Sequence, residues 1–162
     1  MKKELSDIFF YYGEERNSRK IANSIVEFRK KKKIDSTKML SDIIQKINKY
    51  KFKHPATRVF QALRIVINEE LNELEEALKI SLEILTKNSR IVIVAFHSLE
   101  DKIIKNFFKK NSYKNFNDDK KNFFRIITKK PITPSLEEIK INTRSKSAKL
   151  RVAEKILSLI HI

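Results

Sequence analysis

Two adjacent polar residues, His97 and Ser98, stand between a short apolar run and a helix-like segment. Open α/β sheets bind ligands at the carboxyl ends of their strands, so both side chains are candidates for the wall of a ligand crevice. A Ser-His dyad for acyl transfer is disfavoured, because adjacent residues rarely hydrogen-bond to each other and no nucleophile elbow or third member is present. The alternative is structural: Ser98 is the N-cap of a helix whose first turn favours Glu100 and Asp101.

A second candidate site is one polar face of a helix that opens near Pro55. Its four hydrogen-bonding residues follow the spacing i, i+4, i+7, i+11 beside an apolar stripe: Thr57, Gln61, Arg64 and Asn68. Gln and Arg side chains can bind base edges or phosphate, and Arg offers a planar bidentate fork. The alternatives are an ordinary solvated face, or an arginine that packs its stem and binds a carboxylate.

A third candidate is a run of four cations among small residues near the end of the chain: Arg144, Lys146, Lys149 and Arg151. Such a run is suited to contacting the phosphates of a nucleic acid. The signal is weak by itself, because many basic runs are merely exposed to solvent.

The composition excludes several kinds of site. Gly13 is the single glycine, whereas average usage predicts about eleven in a chain of this length. A glycine-rich phosphate loop therefore cannot be built, and nucleotide cofactor binding in the usual style is excluded from this chain alone. The absence of cysteine removes disulfides, thiolate zinc sites and cysteine nucleophiles. Three dispersed histidines without i, i+4 spacing argue against a metal site.

The charge balance indicates a polyanionic partner. The 162 residues include 36 Lys and Arg against 20 Asp and Glu, a formal charge of +16. Nucleic acid is the commonest partner of such a chain, although AT-rich coding DNA would also raise the lysine content. No apolar run approaches the roughly 18 residues of a membrane span. We expect a soluble cytoplasmic protein that does not contact a membrane.

Helical periodicity fills the first half of the chain. Helices are predicted over residues 5–12, 16–33, 37–47 and 54–85, the last with a break. Gly13 is expected in the left-handed position after the first helix, and Ser36 or Thr37 is expected to cap the third. Pro55 is expected at the first position of the fourth helix.

The periodicity changes after residue 87. Residues 91–96 (IVIVAF) are typical of a strand buried on both faces, and 123–128 predict a second strand. A helix is predicted over 102–110 and a polar loop over 111–122, while 148–157 fit either strand or helix. The expected domains are a helical lobe, 1–86, and a piece of α/β sheet, 87–162. Because that sheet is incomplete, this chain pairs with another or is part of something larger.

Four stretches taken together resemble one family. They are residues 5–16 (LSDIFFYYGEER), 54–65 (HPATRVFQALRI), 96–101 (FHSLED), and 132–135 (ITPS) with 144–151 (RSKSAKLR). In this order they closely resemble the bacterial small-subunit ribosomal RNA cytosine-N4 methyltransferases of the H type, over nearly the whole chain. The resemblance implies methyl transfer from S-adenosylmethionine to the exocyclic N4 of a cytosine in the decoding region.

The resemblance also implies a fold. That family has a Rossmann-like class I methyltransferase domain interrupted by a helical insertion. Residues 1–86 would be most of the helical, RNA-recognising insertion, and 87–162 the last strands of the catalytic sheet. The missing first half would carry the cofactor loop, so the chain alone is expected to be inactive and not to bind S-adenosylmethionine. The expected partners are small-subunit ribosomal RNA or the ribosomal particle, and a separate chain carrying the N-terminal half.

The same resemblance implies roles for individual residues. His97 and Ser98 would form the pocket wall that touches the cytosine or positions its amine. The flanking RNA would be held by Thr57, Arg58, Gln61 and Arg64, and its phosphates by Arg144, Lys149 and Arg151. Two rival interpretations remain: a non-catalytic helical RNA-binding module, and the remnant of a split gene.

Overall fold

The computed structural model describes residues 2–49, 54–112 and 122–158. The chain forms two compact units, Met1–Glu70 and Leu71–Ile162. The boundary expected from the sequence lies later than this one, after residue 86, where the helical periodicity ends. Most of the predicted loop over 111–122, and His161, lie outside the described residues.

Four helices build the first unit: α1 (Lys2–Tyr11), α2 (Ser18–Lys31), α3 (Thr37–Gln45) and α4 (Thr57–Ile67). Their apolar stripes meet in one core, whose larger buried members include Phe9, Ile21, Ile25, Ile44 and Val59. Of the two candidate caps of α3, Ser36 is the one used, because its Oγ accepts from the Met39 N–H at 3.3 Å. The lysine-rich end of α2 is exposed.

Gly13 has a different role from the one predicted. Its φ is not positive, and the left-handed residue is Glu14, with φ 51°. A Cβ at Gly13 would lie 2.5 Å from the Arg58 carbonyl oxygen and 2.8 Å from that of Phe9. Glycine is therefore needed because the backbones of α1 and α4 approach closely here, not because of the turn conformation.

A buried carboxylate joins the start of α2 to the segment before α4. Glu15 is fully buried and accepts from the backbone N–H of Asn17 at 2.9 Å and from Asn48 Nδ2 at 3.0 Å. Asn48 Nδ2 also donates to the Pro55 carbonyl oxygen at 3.2 Å. A buried carboxylate is tolerated when its oxygens accept such hydrogen bonds, so this cluster fixes the positions of both segments.

The long helical stretch divides at residues 68–69. Helix α4 begins at Thr57, so the expectation of Pro55 as the first helical residue is wrong by two positions. The helix α5 follows as Glu70–Ile84, and the predicted break falls at Glu69, where φ is 51°. The left-handed conformation of that residue ends one helix and redirects the chain into the next.

The second unit contains a three-stranded sheet of β1 (Arg90–Ala95), β2 (Asn122–Ile126) and β3 (Lys149–Ser158). Between the strands lie α6 (Ser98–Lys110), α7 (Leu136–Ile141) and a 3-10 helix (Thr143–Ser147). The spatial order is β1-β3-β2, and β3 runs antiparallel to both neighbours. Hence β1 and β2 are parallel to each other, and the segment that fitted either strand or helix is the central strand.

One face of β1 packs inward and the other is open. Ile91, Ile93 and Ala95 contact a core that α5 and α6 contribute to through Leu78, Ile104 and Phe108. On the opposite face, Val92, Val94 and Phe96 remain 57%, 46% and 54% exposed. The prediction that this strand is buried on both faces is wrong for the described part of the chain, because β1 is an edge strand with a bare outer face.

Two charged residues of β3 are buried between strands and helices. Lys155 is 1% exposed, and its Nζ donates to the carbonyl oxygen of Leu82 in the last turn of α5. Burial lowers the pKa of this lysine. Glu154 accepts from Arg90 on β1 at 3.1 Å and from Arg125 on β2 at 2.5 Å. Both charges are satisfied by groups distant in sequence, as burial requires.

Candidate functional site

One end of the sheet gathers residues from all parts of the second unit. Antiparallel pairing sets Ala95, the last residue of β1, opposite Lys149, the first residue of β3. Because β2 is parallel to β1, its carboxyl end lies at the same end of the sheet, and Ile132 beyond it bridges to Leu150. The turn holding His97 and Ser98 is therefore brought beside the basic segment that leads into β3.

His97, not Ser98, is the N-cap of α6, which corrects the sequence-based assignment. His97 Nδ1 accepts from the Glu100 N–H at 3.3 Å, and Glu100 Oε2 accepts from the His97 N–H at 3.2 Å. This reciprocal pair is a capping box with histidine in the usual Ser or Thr position. Ser98 is the first helical residue and is exposed.

The cap sets the protonation pattern of the His97 ring. Because Nδ1 accepts a hydrogen bond, the proton of the neutral ring lies on Nε2. Nε2 is 3.1 Å from Glu100 Oε1, yet it is buried and no well-aligned hydrogen bond reaches it from the described residues. Burial raises the pKa of Glu100, but contacts with His97 and the Phe96 N–H outweigh it, so the pKa lies below its ordinary value.

Asp101 joins the start of α6 to β3. Arg151 Nε donates to Asp101 Oδ1 at 2.6 Å and its NH2 group donates to Oδ2 at 3.2 Å, while Lys149 Nζ lies 3.4 Å from Oδ2. Hydrogen bonding by Arg151, opposed by partial burial, holds the pKa of Asp101 below its ordinary value. The Arg151 side chain is only 8% exposed, whereas that of Lys149 is 37% exposed.

Exposed cations complete this end of the sheet. Arg144 lies in the 3-10 helix directly before β3 and its side chain faces solvent. Lys129 and Lys130, beyond the carboxyl end of β2, are also exposed. Sequence reasoning passed over these two lysines, because their place at this end of the sheet follows only from the strand order.

The helical candidates lie together in the first unit. Thr57 Oγ1 donates to the His54 carbonyl oxygen at 2.9 Å, and Arg58 NH1 donates to that of Glu14 at 3.0 Å. Gln61 is half-buried on the same helix. The structure therefore places all four helical candidates on α4 but makes two of them backbone-binding groups.

Arg64 binds a carboxylate, which was one of the two alternatives to RNA binding for this face of α4. It forms a bidentate pair with Glu70, through Nε at 2.7 Å and NH2 at 3.0 Å, and Asn68 Nδ2 donates to the same carboxylate at 3.3 Å. The Arg64 side chain remains 55% exposed. The pair is bidentate and the Glu70 side chain is 21% exposed, so another anion would have to compete with this carboxylate for the guanidinium.

Glu100 and Asp101 are the contributors that sequence reasoning understated. Both were expected only as favourable charges in a first helical turn. The spacing of His97 and Glu100, three residues apart ahead of an apolar run, is a capping-box signal that was available. No local signal pairs Asp101 with Arg151, because 50 residues separate them.

Comparison with known proteins identifies the family. Residues 1–156 match the model of the MraW methylase family. The chain belongs to this family. The resemblance inferred from four short stretches is thereby confirmed over nearly the whole chain, and the α/β fold with its small antiparallel sheet is consistent with a methyltransferase.

Three similar relatives carry the name ribosomal RNA small subunit methyltransferase H. Those from Sulfurihydrogenibium sp. (strain YO3AOP1), Rickettsia akari and Hydrogenobaculum sp. are 52%, 51% and 49% identical. The matches cover 94%, 96% and 94% of this chain but 51%, 55% and 49% of the relatives. The chain therefore spans about half the length of the curated relatives it matches.

The residues of this chain do not fit the cofactor that a methyltransferase family implies. The glycine-rich turn typical of nucleotide cofactor sites in Rossmann-like sheets needs several glycines, and the single glycine, Gly13, is buried where α1 approaches α4. A Cβ there would contact backbone atoms, so the position is closed by packing rather than open to a ligand.

None of the helices in the described ranges is long and apolar enough to cross a membrane.

Proposed function

We propose that this chain is the RNA- and base-contacting part of an enzyme that methylates the exocyclic N4 of a cytosine in small-subunit ribosomal RNA. S-adenosylmethionine would be the methyl donor, held by the part of the relatives that this chain does not span. The observation that carries the proposal is the sheet end where strand pairing brings the His97 turn beside Lys149 and the basic segment before it, in a chain about half identical to enzymes with that name.

The chemistry makes positioning the main task of these residues. The N4 amine of cytosine is a weak nucleophile because its lone pair is delocalised into the ring. Holding this amine in line with a methyl donor supplies much of the rate, and the base must first leave its stack. A rigid turn beside a set of exposed cations can meet both needs, since one part orients the base and the other holds the strand.

The cap limits what the His97 ring can do. While it is in place, Nδ1 accepts from the Glu100 N–H and Nε2 is buried, so neither nitrogen is open to a base. The ring must turn out of its cap to contact the cytosine, and the neutral imidazole then offers one acceptor nitrogen and one donor, the donor for an acceptor such as cytosine O2 or N3. Ser98, exposed at the first position of α6, has a hydroxyl that can accept from the amine.

The basic residues divide by exposure. Arg144 is open to solvent and Lys149 partly so, which suits direct phosphate contact. Arg151 is held by Asp101 and nearly buried, so we assign it a positioning role that keeps Lys149 and the α6 start in place. On α4, Thr57, Arg58, Gln61 and the exposed Arg64 would hold the flanking RNA.

The test is a chimera that joins the missing portion of the Sulfurihydrogenibium relative to this chain. Incubated with small ribosomal subunits and methyl-labelled S-adenosylmethionine, the chimera is expected to form N4-methylcytidine, detected by nucleoside mass spectrometry. A second chimera carries Arg144→Gln and Lys149→Gln. It should transfer less methyl when RNA is limiting, because it lacks two of the proposed phosphate contacts. A chimera that folds and binds S-adenosylmethionine but leaves the RNA unmodified would overturn the proposal.

A second candidate, a non-catalytic RNA-binding module, is favoured by the formal charge of +16. Titration of the isolated chain with S-adenosylmethionine is expected to give no heat under both hypotheses. Only the enzyme hypothesis predicts methyl transfer by the chimera, whereas the module predicts salt-sensitive RNA binding that S-adenosylmethionine never changes.

A further inference from the structure

A small cavity lies in the first unit where α1 ends and α2 begins. Its volume is about 290 Å³, and its wall includes Asp7, Phe10, Tyr11, Arg16 and Arg19. None of these residues belongs to the sites considered above. The cavity combines aromatic, cationic and carboxylate groups within one compact unit.

Two aromatic rings form one side of the cavity. Phe10 is 54% exposed and Tyr11 65% exposed, and their ring centroids lie 5.2 Å apart with planes at 84°. The edge-to-face contact holds both rings at the surface in a fixed relation. Exposed rings of this kind are platforms on which unpaired bases stack, independently of base identity.

Two arginines also line the cavity. Arg16 and Arg19 are both exposed, and neither has an ion-pair partner in the part of the chain that the structure describes. Unpaired guanidiniums beside aromatic rings favour an anionic ligand with a flat group. A protein-docking patch would instead be expected to be mainly apolar at its centre and depleted of charge.

The geometry points to one unstacked nucleotide of single-stranded RNA as the ligand: we propose that its base stacks on Tyr11, with Phe10 against its edge, and that its phosphates bind Arg16 and Arg19. Asp7 adds an acceptor for an exocyclic amine, which favours cytosine, adenine or guanine over uracil. This inference rests on the proposed function in taking RNA as the partner, and it adds a second anchor outside α4 and the sheet.

A tryptophan reporter tests the stacking directly. The chain contains no tryptophan, so Tyr11→Trp places one fluorophore in the cavity. A short single-stranded RNA is expected to quench its emission with a saturable dependence on concentration. Ile141→Trp, on the 89% exposed position of α7, is the matched control and should not be quenched. Equal quenching of both reporters, or of neither, would overturn the proposal.

Substitutions then test each side of the cavity. Tyr11→Ala should weaken RNA binding about tenfold, the loss of one stacking contact. Arg16→Gln and Arg19→Gln should each reduce the salt slope of RNA binding by about 0.7, one phosphate contact on a single strand. Arg29→Gln, exposed elsewhere on α2, should change the slope less. Unchanged affinity in folded Tyr11→Ala would contradict the proposal and favour a protein partner.

The two proposals fail separately. Quenching at position 11 in a chimera that never methylates RNA would overturn the enzyme proposal and support the cavity proposal. If the chimera methylates RNA and neither Tyr11→Ala nor Arg16→Gln changes the rate at limiting RNA, the enzyme proposal is supported and the cavity proposal is overturned.

Discussion

Arg151 donates two hydrogen bonds to Asp101, the shorter being 2.6 Å, and thereby ties β3 to the first turn of α6 across 50 residues. The pair fixes the turn that carries His97 relative to Lys149. It also explains why a predicted phosphate ligand is largely buried. Its consequences for stability can be measured without any ligand.

Asp101→Asn should destabilise the protein by about 3 kcal/mol, because the nearly buried Arg151 loses its anionic partner. Urea unfolding followed by circular dichroism measures this change. Lys149→Gln is the matched control, since its partly exposed ammonium lies 3.4 Å from the same carboxylate and should matter by less than about 1 kcal/mol. Similar losses in both variants would contradict the assigned geometry.

Acid should destabilise the protein through three carboxylates, Glu100, Asp101 and Glu154, whose pKa values are lowered in the folded state. A lowered folded pKa means that the unfolded chain binds protons first, so stability decreases as pH falls. The contribution is complete above the ordinary values of 4.5 and 3.8 and is lost as pH falls through them toward the folded pKa values.

Melting temperatures between pH 6 and pH 3 test this expectation. Asp101→Asn should show a shallower acid dependence than the unaltered chain. Glu75→Gln, at an exposed position of α5, serves as the control and should leave the profile nearly unchanged. A pH profile identical in all three proteins would count against linkage through Asp101.

Gly13→Ala should destabilise the first unit by about 1–3 kcal/mol, as overpacking does in a close-packed interior. The added Cβ would lie 2.5 Å from a backbone oxygen of α4, which cannot move without shifting that helix. Asn23→Ala, exposed within α2, is the control and should have no effect or be slightly stabilising. Unfolding of both variants in guanidinium chloride measures the difference in free energy. An unchanged free energy of unfolding in Gly13→Ala would disprove the close approach of the two backbones.

His97→Asn should separate the cap from the ring. Asparagine is a good N-cap, so stability should be retained, whereas His97→Ala should cost about 1 kcal/mol. In the chimera, the proposed base contact predicts that His97→Asn lowers kcat far more than RNA affinity. Full activity in His97→Asn would restrict this residue to capping.

The helices and the strand β1 could be predicted because their signals are local. Helical periodicity located α2 and α3 within a few residues, and an apolar run flanked by polar residues located β1 equally well. The resemblance of four short stretches was enough to place the chain in its family. Roles tied to single residues were less accessible: the cap fell on His97 rather than Ser98, since both precede the same helical run.

The remainder depended on contacts between distant residues. The sequence of β3 does not alternate regularly between apolar and polar residues, because the charged residues Arg151, Glu154 and Lys155 are buried beside apolar neighbours. Their partners are Asp101, Arg90 with Arg125, and the Leu82 carbonyl, all remote in sequence. The same limit applied to Gly13, whose local context suggested a turn while its function is a contact with α4.

The strand order has a consequence for how the second unit is made during translation. Within the described residues, β1 and β2 have no hydrogen bonds to each other, and each pairs only with β3. Since β3 follows both strands in the chain, these pairings cannot form until β3 has left the ribosome. A nascent chain can complete its four-helix unit early, while β1 waits unpaired; a stop codon before residue 149 would abolish the sheet altogether.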